Sequence, residues 1–271
     1  MIDTSLVTLE IRGHIAYVTL SRPEKHNGLN MEMIQAIIST ASRIRRDRRI
    51  RCVIISGQGE SFCAGLDFKA LTESKTMAPR LFLKWPWKKA NAAQHVNQCW
   101  RDLPVPVISV IHGNCFGAAM QLILATDYRI ARPDANLSIM EIKWGLIPDM
   151  SGAATLSRLT SVDVAQELTW TGRQFSGTEA KALSLVSRLS DDPMAEAESL
   201  ANSIADQSPD AISAAKVLFN KTWQAGTWKA LFWERWIQAR ILFRKNNRIA
   251  LKNGFRAADE KIPYRDRRSF R

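Results

Sequence analysis

The sequence predicts an α/β fold followed by a helical C-terminal region, and three observations carry that prediction. Residues 52–56 (CVIIS) and 105–111 (VPVISVI) are short, unbroken apolar runs rich in β-branched residues, the pattern of strands covered on both faces. Each run leads into a glycine-bearing loop and then a helical pattern, and strand-loop-helix units in series build sheets with right-handed crossovers. Beyond Ser161 the pattern becomes almost wholly helical. With 271 residues and 46% apolar content the chain can bury a substantial core, and the change of pattern divides it into an α/β core over residues 1–190 and a helical region over 191–271.

Residues 6–11 (LVTLEI) and 15–20 (IAYVTL) alternate apolar and polar about Arg12, Gly13 and His14, which predicts a β-hairpin entering a sheet. Asn30 is placed to cap a helix whose Met31, Ile34, Ile37, Ile38, Ala41 and Ile44 recur at helical spacing, leaving Arg43, Arg45 and Arg46 outside the buried stripe. Leu71 to Val96 reads as an amphipathic helical excursion interrupted by Pro86, a candidate substrate lid. Ser176 and Ser208 are expected N-caps, and Trp228 to Phe243 a long aromatic-rich helix. Trp223, Trp228, Trp233 and Trp236 have helical spacings and suit core or subunit contacts better than base stacking.

Composition narrows the function classes. No apolar run approaches the roughly 20 residues of a membrane-spanning helix, and the N-terminus alternates rather than forming a signal-peptide core, which predicts a soluble, cytoplasmic protein. Cys52, Cys63, Cys99 and Cys115 form no CxxC pair and the four histidines are scattered, so neither a disulfide framework nor a metal site is expected. The formal charge of +12 suits nucleic acid, a membrane surface or an anionic substrate. It concentrates in RIRRDRRIR (43–51), read as a solvated helix end, and in residues 240–271, with 11 Lys/Arg against 3 Asp/Glu.

Two loops carry the candidate chemistry. Gly57 to Ala70 (GQGESFCAGLDFKA) follows the first buried strand, and His112 to Ala119 (HGNCFGAA) joins the second to the helix MQLILATD, whose first N–H groups lack intrahelical partners. One backbone donor from each loop would make an oxyanion hole for a thioester carbonyl during deprotonation of its α-carbon. SRPEKHNGLN (21–30), SGQGESFCAGLDFKA (56–70), PVISVIHGNCFGAAMQLILATDYRIA (106–131), EIKWGLIPDMSG (141–152), ELTWTGRQFSGTEA (167–180) and NGFRAADEKIPY (253–264) resemble, in order and over nearly the whole chain, the consecutive motifs of the crotonase (enoyl-CoA hydratase/isomerase) family.

That resemblance implies a spiral of ββα units, assembly as a trimer or hexamer, and a CoA thioester bound across the first loops. It makes the Leu66 and Ala118 N–H groups the oxyanion donors and puts Ala64, Asp67, Phe68 and Lys69 along the CoA moiety. No cofactor beyond the CoA of the substrate, no nucleic acid and no membrane insertion are expected. Where hydratases of the family hold a water between two glutamates, this chain has Gln121 at the first position and Glu141 at the second. An amide orients water but exchanges no proton near neutral pH.

Asp149 matches an aspartate that the resemblance associates with dienoyl-CoA isomerases, although those carry an acid where Gln121 stands. Bland roles compete: Asp149 as the cap of a helix near Ser151, Glu141 in a structural salt bridge. Ser184 replaces the glycine usual before a Leu-Val strand. The combination favours an enoyl- or dienoyl-CoA isomerase, with a hydratase, a non-catalytic acyl-CoA binder and a basic RNA-binding protein as alternatives. Acyl-chain length would be set by residues 71–96 and the region around Trp144.

Overall fold

The computed structural model describes residues 5–73, 77–84 and 86–269. Among the described residues nine strands form two sheets: β1 (Val7–Arg12), β2 (Ile15–Leu20), β3 (Cys52–Gly57), β4 (Val107–Ile111), β5 (Asn114–Phe116), β6 (Tyr128–Ala131), β7 (Asn136–Ser138), β8 (Phe175–Ser176) and β9 (Arg188–Leu189). The larger sheet runs β1-β2-β3-β4-β6-β9, the smaller β5-β7-β8. The hairpin β1–β2 is antiparallel, turning through Gly13 at φ 58°, and every later pair of the larger sheet is parallel.

The unbroken apolar runs have the expected cause. Val53 and Ile55 of β3 and Val107 and Ile111 of β4 join the main core, while Cys52, Ile54, Ile108 and Val110 join a second cluster on the opposite face. The main face is covered by α1 (Met31–Arg46), whose Asn30 side chain accepts from the Met33 N–H at 2.9 Å as the sequence predicts. The excursion is helical only in pieces, α2 (Phe68–Glu73), α3 (Met77–Phe82) and α4 (Ala92–Arg101), the last opened by an Asn91–Gln94 capping box. Residues 74–76 and 85 of the suggested lid lie outside the described residues.

Next come α5 (Ala118–Leu124), α6 (Gly152–Leu156), α7 (Val162–Thr171) and α8 (Gly177–Ala182). Ser176 caps α8 through the Glu179 N–H, and Ser184 beyond it takes φ 64°, the left-handed conformation that glycine adopts without strain. Of the C-terminal helices, α9 (Pro193–Ala205) lays Ala197, Ala201 and Ala205 on the second face of the larger sheet. Then follow α10 (Pro209–Thr222), α11 (Thr227–Leu242) and α12 (Lys245–Asn253). Ser208 sits at the N-cap of α10 without a side-chain bond, its place as helix starter shared with Pro209. Helix α11 packs on α10 through Ala214, Ile237 and Ile241 but leaves Trp228, Phe232 and Trp236 exposed. No helix among the described residues is long and apolar enough to cross a membrane.

The basic run at the end of α1 is solvated as expected at Arg43, Arg46, Arg48 and Arg49, but two arginines packed against its ends are not. Arg267 reaches back from the tail to donate to the Arg45 and Asp47 carbonyls at 3.0 and 2.9 Å, closing the open end of the helix. Arg51 is also buried, donating to the carbonyls of Ala205 and Tyr264.

Candidate active site

Backbone bonds bring the two glycine loops together. Cys63 N–H donates to the Asn114 carbonyl at 3.1 Å and Phe116 N–H to the Cys63 carbonyl at 3.2 Å, so the β3–α2 loop runs alongside β5. Gly65 sits at φ 93°, and a β-carbon there would come within 2.6 Å of the Phe116 oxygen and 3.6 Å of the Ala118 nitrogen. Only glycine permits this approach. Leu66 is bridged to Leu29 in parallel fashion: Leu29 N–H donates to the Gly65 carbonyl and Asp67 N–H to the Leu29 carbonyl. That pattern turns the Leu66 N–H away from Leu29. Ala118 opens α5, where no intrahelical acceptor exists. Neither N–H finds an acceptor among the described residues.

Both residues line a cavity of about 310 Å³, together with Ala64, Asp67, Phe68, Gln121, Glu141 and Asp149. Eight of the nine residues singled out in the sequence therefore meet in one place. Lys69 does not: its side chain is 81% exposed and lies 3.9 Å from the Glu73 carboxylate. Lys25, Met140 and Met150 also line the wall without having been singled out, while Phe82 falls within residues 71–96 and Leu146 beside Trp144, the regions expected to set acyl-chain length. Phe68 and Trp144 stack with ring centroids 4.1 Å apart.

The carboxylates differ in what holds them. Asp67 is tied to Arg22 at 2.8 Å and accepts from the Ala70 N–H; burial opposes its charge, but these donors outweigh it and hold its carboxyl below the usual range. Arg22 belongs to the quoted SRPEKHNGLN stretch, and its basic character was the available signal for that pairing. Glu141 begins a 3₁₀ turn, Glu141–Trp144, and is 8% exposed. Its Oε1 accepts from Gln121 Nε2 at 2.5 Å, while Oε2 is buried with no hydrogen-bond partner. Burial raises its pKa, the Gln121 bond partly offsets this, and nearby Asp149 raises it further.

Gln121 is fixed at its other end too, since Oε1 accepts from the Gly152 N–H at 2.9 Å. This settles the amide orientation, with the oxygen on the N–H and the NH₂ on the carboxylate. Asp149 is part-buried with its pKa raised by that burial. It does not cap α6, whose N-cap is Ser151, and among the described residues Glu141 forms no salt bridge. The bland roles for both are absent.

A sequence profile of the enoyl-CoA hydratase/isomerase family matches residues 10–262. YngF of Bacillus subtilis, named an enoyl-CoA hydratase/isomerase, is 35% identical over 225 residues, covering 81% of this chain and 82% of the relative. The Δ(3,5)-Δ(2,4)-dienoyl-CoA isomerase of Dictyostelium discoideum is 29% identical over 219 residues, or 76% of this chain and 73% of that one. Among solved structures, the enoyl-CoA hydratase of Bacillus anthracis superposes with a TM-score of 0.86 at 27% identity, covering 96% of this chain and 98% of the other. Two laced glycine loops, an unpaired donor on each and a buried glutamate across the cavity thus accompany a match along almost the full sequence, and the chain belongs to the enoyl-CoA hydratase/isomerase (crotonase) family.

Proposed function

We propose that this chain isomerises unsaturated acyl-CoA thioesters by proton transfer, favouring isomerisation over hydration. The observation that carries the reading is the state of Glu141: one oxygen held by Gln121, the other buried without a partner, beside the unpaired Ala118 N–H. The thioester oxygen lies between the Leu66 and Ala118 N–H groups, which stabilise the enolate formed when the α-proton leaves. Glu141 takes that proton on Oε2 and returns it farther along the conjugated chain. A raised pKa makes it a better acceptor than an ordinary carboxylate and still leaves it able to give the proton back.

Asp149 serves as a second proton group for a longer shift. Gln121 spends its oxygen on Gly152 and a donor on Glu141, so we assign it to positioning the base and not to proton transfer. The chemistry needs no metal and no cofactor beyond the CoA of the substrate.

The alternative with specific support is a hydratase, because relatives named as hydratases, such as EchA19 of Mycobacterium tuberculosis at 32% identity over 208 residues, match as well as the dienoyl-CoA isomerase does. A side-by-side rate assay on 2-enoyl-, 3-enoyl- and 3,5-dienoyl-CoA separates the readings. The expected order is faster isomerisation of the 3-enoyl or 3,5-dienoyl substrate than hydration of the 2-enoyl one, with Asp149→Asn slowing the dienoyl reaction more than the mono-enoyl reaction. Rapid hydration without isomerisation overturns the proposal; tight CoA-ester binding with no turnover identifies a binding protein instead.

We also propose that the aromatic face of α11 is a subunit contact in a trimer or hexamer, since Trp228, Phe232 and Trp236 are too large a group to leave in water. A monodisperse monomer in light scattering at micromolar concentration would refute this.

A further inference from the structure

Behind α5 lies a second cavity, of about 470 Å³, between the α/β core and α10. Its charged lining is four cations, Arg101, Arg129, Arg158 and Lys216, against the single carboxylate of Asp127. Two of the cations are fully employed. Lys216 Nζ donates to the Trp100 and Val105 carbonyls and lies 2.6 Å from Asp127 Oδ2, and Arg129 donates to Leu185 and Thr126 carbonyls and to Ser187 Oγ.

The other two cations are not satisfied. The Arg101 guanidinium makes no hydrogen bond or ion pair among the described residues, and Arg158 has one bond, to the Phe219 carbonyl at 3.3 Å. Burial lowers the pKa of both, and Arg101 lowers that of Arg158 further by like-charge repulsion. Withdrawing two like-charged guanidinium groups part-way from water is costly when the only carboxylates near them are Asp102 and Asp127, the latter already paired with Lys216. An anion bound between them removes that cost, and the planar fork of arginine matches carboxylate or phosphate oxygens in pairs.

Apart from Thr126, Thr155 and Asn220 the rest of the wall is apolar, with Leu124, Leu159, Ile204 and Ile212 inside and Trp223, 63% exposed, meeting Phe219 edge-on at the mouth. A bare inorganic ion would leave those side chains uncovered. We infer that this cavity is a second binding site, for an amphipathic organic anion whose carboxylate or phosphate head sits on Arg101 and Arg158 and whose hydrocarbon body lies against Leu159, Ile212 and Trp223. The site stands apart from the catalytic cavity but shares its walls: α5 offers Gln121 to one and Leu124 to the other, and α6 begins at the Gly152 N–H that holds Gln121.

Calorimetry with decanoate, decyl phosphate, butyrate and inorganic phosphate tests the assignment on the full chain. Decanoate or decyl phosphate should bind with one site per chain, and whichever is tighter names the head group; butyrate and inorganic phosphate should bind at least about tenfold more weakly, as the apolar body carries affinity. Arg101→Gln with Arg158→Gln should weaken the decyl ligand by about tenfold or more, the scale of a lost charge-assisted contact.

Because Arg101 has no partner among the described residues and Arg158 only one carbonyl at 3.3 Å, these variants should fold, with a melting temperature close to that of the parent; circular dichroism checks this. Trp223→Ala, at the mouth, should weaken the decyl ligand without changing the phosphate titration. Absence of decyl binding, binding indifferent to the arginine changes, equal affinity for inorganic phosphate, or competition by a CoA ester that occupies the catalytic cavity would each overturn the inference.

Discussion

On one side of α5, Gln121 faces a cavity lined by the carboxylates Glu141 and Asp149; on the other, Leu124 and Ala125 face one lined by the guanidiniums of Arg101, without a partner among the described residues, and Arg158, with a single carbonyl. Both cavities hold charge withdrawn from water without a full set of partners, whereas other buried charges, Arg129 of the second cavity among them, are saturated. Arg267 donates to the carbonyls of Ile44, Arg45, Asp47 and Ile50, and Arg129 to two carbonyls and a hydroxyl. A buried charged group with complete bonding closes a helix or pins a strand; one left short of partners is poised for a ligand or a proton. The contrast between Arg267 and Glu141 is therefore more informative than the burial of either.

The largest expected effect breaks the carboxylate side of that contrast. Glu141→Gln removes the proposed proton acceptor while keeping its shape, and the proposed isomerase turnover should fall by about 10²-fold or more, the scale of a lost general base. With the parent enzyme, the acidic limb of the kcat/KM profile should lie above the usual carboxylate range, because the base must be ionised and burial raises its pKa. An acid limb in the ordinary carboxylate range would show that Glu141 is not the group that titrates.

A smaller effect tests the support and not the base. A β-carbon at Gly152 would come within 2.7 Å of Gln121 Oε1 and 2.8 Å of Pro148 Cβ, so Gly152→Ala must displace the glutamine that holds Glu141. We expect kcat to fall about tenfold with KM little changed, and stability to drop by about 1–3 kcal/mol from overpacking. Steady-state kinetics and urea unfolding read the two separately. Full activity in a destabilised variant would confine Gly152 to packing.

How far the sequence foretold these sites depends on the kind of information each needs. Leu66, Ala118 and Glu141 were legible because ordered motifs fix a backbone path, and a backbone path places N–H groups and strand-end residues. The two-faced burial of β3 and β4 was legible from composition, since an unbroken apolar run has no polar side to turn to water. The link between Gln121 and Gly152 was not, because it joins residues 31 apart through a side-chain amide whose rotamer no local pattern encodes. Arg101 and Arg158 look like ordinary surface cations in sequence, and the cavity they share exists only where α10 packs beside them. Lys69 shows the reverse, since a motif position does not tell whether a long flexible side chain turns toward the cavity or toward Glu73.

The smallest effect concerns stability and follows from the same unpaired oxygen. The native pKa of Glu141 is raised above its ordinary value of 4.5, chiefly by burial. Between those two values the folded chain keeps a proton that the unfolded chain has released, so stability falls as pH rises through the window, and the full cost is present above the native value. Glutamine carries no such cost. Its Oε1 can still accept from Gln121, which the Gly152 N–H holds in orientation, and its amide nitrogen takes the place of Oε2; leaving a neutral NH₂ short of a partner is less costly than leaving a charge so. Glu141→Gln should therefore raise the melting temperature at neutral pH by about 2–4 °C, the shift that about 1 kcal/mol produces in a domain of roughly this size. The difference should shrink toward zero as pH is lowered to the ordinary carboxylate range, where both states of the parent hold the proton. Thermal scans of the two proteins at neutral and acidic pH measure it. A variant less stable than the parent at neutral pH would mean that the carboxylate is paired in the folded protein, and the division between saturated and unsatisfied buried charge would fail at its central residue.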